Sequence, residues 1–98
     1  MNWTVRPEVA EELTAAALWY RDIAPSLADS FFEEFEAAVS RVKEYPRSYP
    51  VVYSAKSVRR ALLRRFPYAL FYRLAAEEGV IFAVRHCAQH PRGWQRRS

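Results

Sequence analysis

Near Pro46 the hydrophobic period of this chain changes from helical to extended, and any fold it adopts has to join the two halves. Upstream, Phe31, Phe32, Phe35, Ala38, Val39 and Val42 form one apolar stripe, while Glu33, Glu36, Ser40, Arg41 and Lys43 take the other side. This spacing predicts a helix ending before Pro46, opened after a break at "DIAPS" by Ser26-x-x-Asp29, which has capping-box form. Ahead of it, Val9, Leu13, Ala16, Ala17 and Tyr20 predict a first helix over about 7–22. Pro7 suits its first turn, and Glu8, Glu11 and Glu12 complement the positive end of its dipole. "NWTVR" alternates with a period of two and predicts a short N-terminal strand.

Downstream, "PRSYPVVYSAKS" is predicted as a connection, with two prolines and small polar residues. Three strands then follow over 58–63, 68–75 and 80–86, the last two joined by "AEEG" (76–79) as a hairpin turn. Pairing Leu74 with Val80 sets Tyr72 opposite Phe82, Leu70 opposite Val84 and Tyr68 opposite His86. That nearly continuous apolar face should receive the two helices. The other face carries Phe71, Arg73, Ile81, Ala83 and Arg85 and is expected to be open and basic. The whole is a single α+β domain over 1–98, ordered β-α-α-β-β-β, with an N-terminal helical hairpin packed on a small, mostly antiparallel sheet.

Charge is divided along the same line. Residues 1–44 hold four Lys/Arg against nine Asp/Glu, a net of −5, and residues 45–98 hold eleven against two, a net of +9. Such asymmetry points the C-terminal half toward an acidic macromolecule, nucleic acid or protein. The single cysteine excludes an internal disulfide framework and fits a reducing compartment. No apolar run approaches the ~18 residues of a membrane span, so a soluble, cytoplasmic protein is expected.

The tail "RHCAQHPRGWQRRS" concentrates the chemistry. His86, Cys87 and His90 offer three metal ligands where a structural zinc site takes four, so no metal or cofactor is expected. A histidine among arginines is a conceivable acid–base group for RNA, but His86, opposite Tyr68, reads first as a packed side chain. Arg92, Trp94, Arg96 and Arg97 set planar cations around one aromatic, a combination suited to binding if Trp94 is exposed and to anchoring if it folds back.

These segments together resemble the RelE/ParE superfamily of type II toxin–antitoxin toxins, and most of all its ParE-like branch of plasmid-stabilisation proteins. The resemblance rests on Arg65-Phe66-Pro67-Tyr68, Phe71-Tyr72, the strand end Ala83-Val84-x-His86, and Pro91-x-x-Trp94. It implies a toxin that arrests growth by binding DNA gyrase, neutralised in a hetero-oligomer by a cognate ParD-like antitoxin. Target contacts are then expected at Arg85, His90, Arg92, Trp94, Arg96 and Arg97. Antitoxin contacts are expected at Arg59, Arg60, Arg65, Arg73 and Arg85, along the mixed sheet face and the helical hairpin. RelE-like members instead cleave messenger RNA on the ribosome. Positions where such members tend to carry Arg or Tyr hold Ala69, Gln89 and Gln95 here, and neutral amides neither stabilise a phosphorane nor exchange protons. The first expectation is therefore no catalytic residue. The alternative is an endoribonuclease using His86, His90, Arg85 and Arg92.

Overall fold

A computed structural model describes residues 1–89 and 92–98. The strand β1 (Asn2–Val5) leads into the helices α1 (Pro7–Ile23) and α2 (Pro25–Glu44). Then come β2 (Val51–Tyr53), one 3-10 turn (Ser54–Lys56), β3 (Val58–Leu62), β4 (Tyr68–Ala75), β5 (Glu78–His86) and a short helix α3 (Arg92–Arg97). The five strands form one sheet in the order β1-β5-β4-β3-β2, with β1 parallel to β5 and every other pair antiparallel. The expected α+β architecture is present, and β2 and α3 are additions to it. Among the described residues, no helix is long and apolar enough to cross a membrane.

Both long helices open on a proline, whose fixed φ suits the first turn and which has no N–H to satisfy. Ala24 alone separates them, extended at φ −159°. The helix therefore begins before Ser26, and Ser26-x-x-Asp29 forms no cap: Ala24 stands at that position with no side-chain hydrogen bond. Val9, Ala16 and Ala17 of α1 and Phe31, Phe35, Ala38 and Val42 of α2 are buried on the sheet. Phe32, expected in the stripe, lies a helical step to the side and is 40% exposed.

The β4–β5 hairpin departs from the expected register. Tyr68↔His86 and Leu70↔Val84 hold, but Phe71 faces Ala83 while Tyr72 faces Ile81, so Phe82 is an extra residue. This bulge exchanges the faces beyond it, since alternation has a strict period of two. Ile81 joins Tyr72 in the core under the helices, and Phe82 joins Ala83 on the opposite face. The hairpin turns on Ala76 and Glu77, with Ala76 at φ 52°. Gly79 is a strand residue opposite Leu74 instead of part of the turn, and its absent side chain makes room for Trp3, whose ring lies 2.5 Å from where a Cβ would stand.

The second sheet face is not open. Helix α3 lies over it and closes a second core of Val58, Ala69, Phe71, Phe82, Ala83 and Trp94. Trp94 is 6% exposed and stacks on Phe71 with ring centroids 4.4 Å apart and planes at 17°. Apolar residues at successive positions of β4 and β5 are thereby accounted for, because both faces are covered.

Tyr72, fully buried in the first core, donates from its hydroxyl to the Pro46 carbonyl at 2.6 Å, pinning the end of α2 to the sheet. Burial pushes the phenol up to about 12, against a smaller downward pull from Arg59. Tyr72→Phe leaves that carbonyl without its donor and is expected to cost about 1–2 kcal/mol in denaturant unfolding. A folded-state value raised from 10.0 to about 12 favours the neutral phenol, so its stabilisation is complete below pH 10.0 and disappears as pH rises through about 12. Wild-type stability should fall more steeply than that of Tyr72→Phe across this window; equal slopes would contradict it.

Candidate functional site

The expected contact residues gather around the C-terminal end of β5, where four elements meet. The chain turns at residues 86–89, and side chains fasten the turn. Gln89 Oε1 accepts the His86 N–H at 2.9 Å and Arg85 Nε–H at 3.0 Å, and His86 Nδ1 accepts the Ala88 N–H at 3.0 Å. Cys87 N–H donates to the Pro67 carbonyl at 2.8 Å, tying the turn to the entrance of β4. The His86 ring stands edge-on to Tyr68 at 5.2 Å, the packed position expected for it.

A cavity of about 170 Å³ opens beside this turn, lined by Arg60, Arg85, His86, Cys87, Gln89 and Trp94 among others. Across Arg85 lies a wider depression of about 420 Å³, lined by Glu12, Trp19, Tyr68 and Gln89 among others. Trp19 is 67% exposed at its rim.

Glu12 holds this region together. Its Oε1 accepts the Val84 N–H at 3.1 Å and Arg97 Nη1 at 2.9 Å, and its Oε2 lies 3.6 Å from Arg85 Nε. Arg97 Nη1 also donates to the Phe82 carbonyl at 3.0 Å. Pairing with β1 stops at Ile81, where Arg6 N–H takes the carbonyl, so the edge of β5 beyond it has no strand beside it. The Glu12–Arg97 pair supplies the acceptor and donor that a neighbouring strand would have supplied. Arg85 packs its guanidinium against α3, where a Cβ on Gly93 would meet its Nη1 at 2.7 Å.

Among the expected target contacts, Arg85, Trp94 and Arg97 thus sit together but face inward, while Arg96 is exposed. The reading of Trp94 as a solvent-facing aromatic gives way to its alternative, an anchor. His90 and the side chain of Arg92 lie outside the described residues. The expected antitoxin contacts do not form one cluster. Arg59 donates to the carbonyls of Arg47 at 3.1 Å and Tyr49 at 2.6 Å, Arg65 reaches Glu34 at 3.6 Å, and half-buried Arg73 keeps its Nε without a partner. Arg60 is exposed on β3.

Two sets of residues escaped the sequence reading. Glu12 was legible only as a helix-dipole partner, because its contacts lie 72 and 85 residues away. Arg41 and Arg64 join Arg60 around a groove of about 300 Å³, for which the alternation Arg60-x-Leu62-x-Arg64 is the available signal. Among the described residues, no group of three His, Cys, Asp or Glu is placed to hold a metal ion.

Known proteins match this chain along most of its length. "Toxin ParE2" of Mycobacterium tuberculosis, in strains CDC 1551 / Oshkosh and H37Rv, is 32% identical over 84 residues, which span 85% of this chain and 78% of the relative. The fold matches a solved structure described as "Chromosomal ParDE TA system from P. aeruginosa" with a TM-score of 0.77 at 18% identity, over 88% of this chain and 95% of that one. At that identity the likeness concerns fold alone. Residues 4–91 match the family model of the ParE toxin of the type II toxin–antitoxin system parDE, and the chain belongs to that family.

Proposed function

We propose that this ParE-type toxin acts in the cytoplasm by binding and not by chemistry, that its target is DNA gyrase, and that a cognate ParD-like antitoxin neutralises it in a hetero-oligomer. The observation that carries the binding reading is the state of His86. With its Nδ1 accepting the Ala88 N–H and its ring standing edge-on to Tyr68, the imidazole is already engaged in holding the turn. Gln89, at a position where ribonuclease relatives tend to carry a charge, is engaged in fastening the turn. The parDE family supports the choice of gyrase and of a ParD-like partner.

In this reading Arg96, with Arg92 and His90, meets the target, and Arg85, Trp94 and Arg97 present the helix that carries it. Purified toxin added to a gyrase supercoiling reaction is expected to inhibit it or to trap cleaved DNA. No effect of folded protein at large molar excess removes gyrase from the proposal.

One observation favours a second reading: Arg60, Arg85 and His86 line a single cavity. An endoribonuclease would cut translated messages inside codons, with the cuts lost in His86→Ala. Intact messages in primer extension after induced expression dispose of it.

A further inference from the structure

Most free edges of the sheet are guarded by charge, proline or a capping side chain. Glu12 and Arg97 close the β5 edge beyond Ile81. Past Arg59 the β3 edge carries Arg60 and Arg64, and Arg41 Nη2 donates to the Leu62 carbonyl at 3.3 Å. Strand β2, at one end of the sheet, is three residues long and follows Pro50. Strand β1, at the other end, holds no charged residue, proline or glycine from Asn2 to Val5. Charge, proline and bulges are the usual blocks to strand addition, and β1 has none of them.

The ladder tells which backbone groups of β1 face outward. Asn2 N–H donates to the Glu77 carbonyl and Arg6 N–H to the Ile81 carbonyl, both at 2.9 Å, so even-numbered residues direct their backbone to β5. Trp3 and Val5 therefore direct theirs away from it, to a side where no strand lies among the described residues. Side chains alternate along the same strand. Trp3 packs on Tyr72 on the helix side, with ring centroids 5.9 Å apart, and Met1 and Val5 share that side with it. Met1 and Val5 are each 48% exposed, and Asn2 and Thr4 are exposed on the opposite side. Helix α1 packs back over β5 instead of covering the outside of β1.

Such a strand is complementary to itself. Laid antiparallel on a second copy with Trp3 at the two-fold axis, it sets Trp3 opposite Trp3, Val5 opposite Met1 and Asn2 opposite Thr4. Every apolar side chain then falls on one face and every polar one on the other. Trp3 N–H and C=O bond across the axis in both directions, and Val5 N–H meets a Met1 carbonyl at each end. No like charges meet, because Arg6 lies beyond the paired stretch. A second copy supplies this pattern by construction, and the contact closes at two chains.

We propose that β1 pairs antiparallel with β1 of a second copy, centred on Trp3, and joins two five-stranded sheets into the continuous sheet of a symmetric dimer. Pairing at this edge leaves the turn at 86–89 and α3 uncovered in both copies, so each keeps its candidate site. So short a strand buries less than ~1,200 Å², which puts the dimer in the weak class, half-formed at roughly 10–100 μM.

Sedimentation velocity of the isolated full chain should show monomer giving way to dimer between about 1 and 300 μM. Amide exchange at Trp3 and Val5 should slow at least ~10-fold over that range, as for N–H groups entering a ladder. Exchange in the wild type reads the pairing without any substitution. Val5→Pro removes an outward donor and spares every bond to β5, and Val5→Lys places a charge on the edge. Each should keep the chain monomeric throughout, with a melting profile confirming the fold. Ile23→Lys, at an exposed apolar position on α1, should leave the dimer intact. A wild-type chain still monomeric at the highest concentration overturns the proposal. A dimer that survives both Val5 substitutions, or that Ile23→Lys abolishes, also overturns it, because association then runs through another surface.

Discussion

Replacing Trp94 with alanine is expected to destabilise the protein by about 3 kcal/mol, the low end for truncating a large buried aromatic. The ring fills the second core, stacks on Phe71 at 4.4 Å and meets Tyr53 edge-on at 6.0 Å. It is the one buried apolar side chain that α3 contributes to that core. A six-residue helix has no independent stability, so docking and folding of α3 are a single event. Losing the anchor lets α3 detach, which relieves the cavity but uncovers Phe71 and Phe82. For a domain of this size, 3 kcal/mol corresponds to a fall in melting temperature of roughly 12–24 °C. Amide exchange should accelerate in residues 92–98 first. A melting temperature within a few degrees of wild type would show that the second core contributes little.

Glu12→Ala is expected to cost about 2–3 kcal/mol. The carboxylate is 17% exposed and receives the Val84 N–H, Arg97 and Arg85, so its removal strands a strand-edge donor and two guanidinium groups together. Partial exposure allows water to take over some of these bonds, which keeps the figure below the range for a fully buried pair. Glu12→Gln retains an oxygen for Val84 and loses the charge, so it should fall between alanine and wild type. Because Glu12 and Arg97 share the edge of β5, their substitutions should not add: a double-mutant cycle in denaturant should give a coupling of about 1–2 kcal/mol. Additive losses would mean that each side chain holds the edge alone.

Residues whose partners are near in sequence, or whose alternation is clean, were legible without coordinates. Whereas the pairing of Tyr68 with His86 came from an assumed Leu74–Val80 register that holds only on the far side of the bulge, the stripe of α2 and the extent of β4 follow from period alone. The bulge at Phe82 does not, because "VIFAV" is apolar at every position and a one-residue slip leaves no polar residue on the wrong face. Strand β2 is three residues preceded by Pro50, too short to show alternation. Helix α3 has one apolar anchor among glycine, glutamine and arginines, which is also the composition of a basic tail. Missing α3 made the second face look open and left Arg85 and Arg97 looking available. The candidate site was found by charge, but charge does not reveal which arginines another element already holds: Glu12 sits on the far side of the chain from both.

The parallel pairing of β1 with β5 sets Asn2 beside Glu78 and Val5 beside Ile81. A ribosome making this chain emits β1 long before the strand it lies against, by roughly 4–15 s at ordinary elongation rates. Until β5 is made, the helical segments lack the complete sheet that buries their apolar faces, and the leading strand lacks its partner. The helices can therefore be fully covered and the leading strand paired only once β5 has been made, so the domain closes late relative to its own first strand.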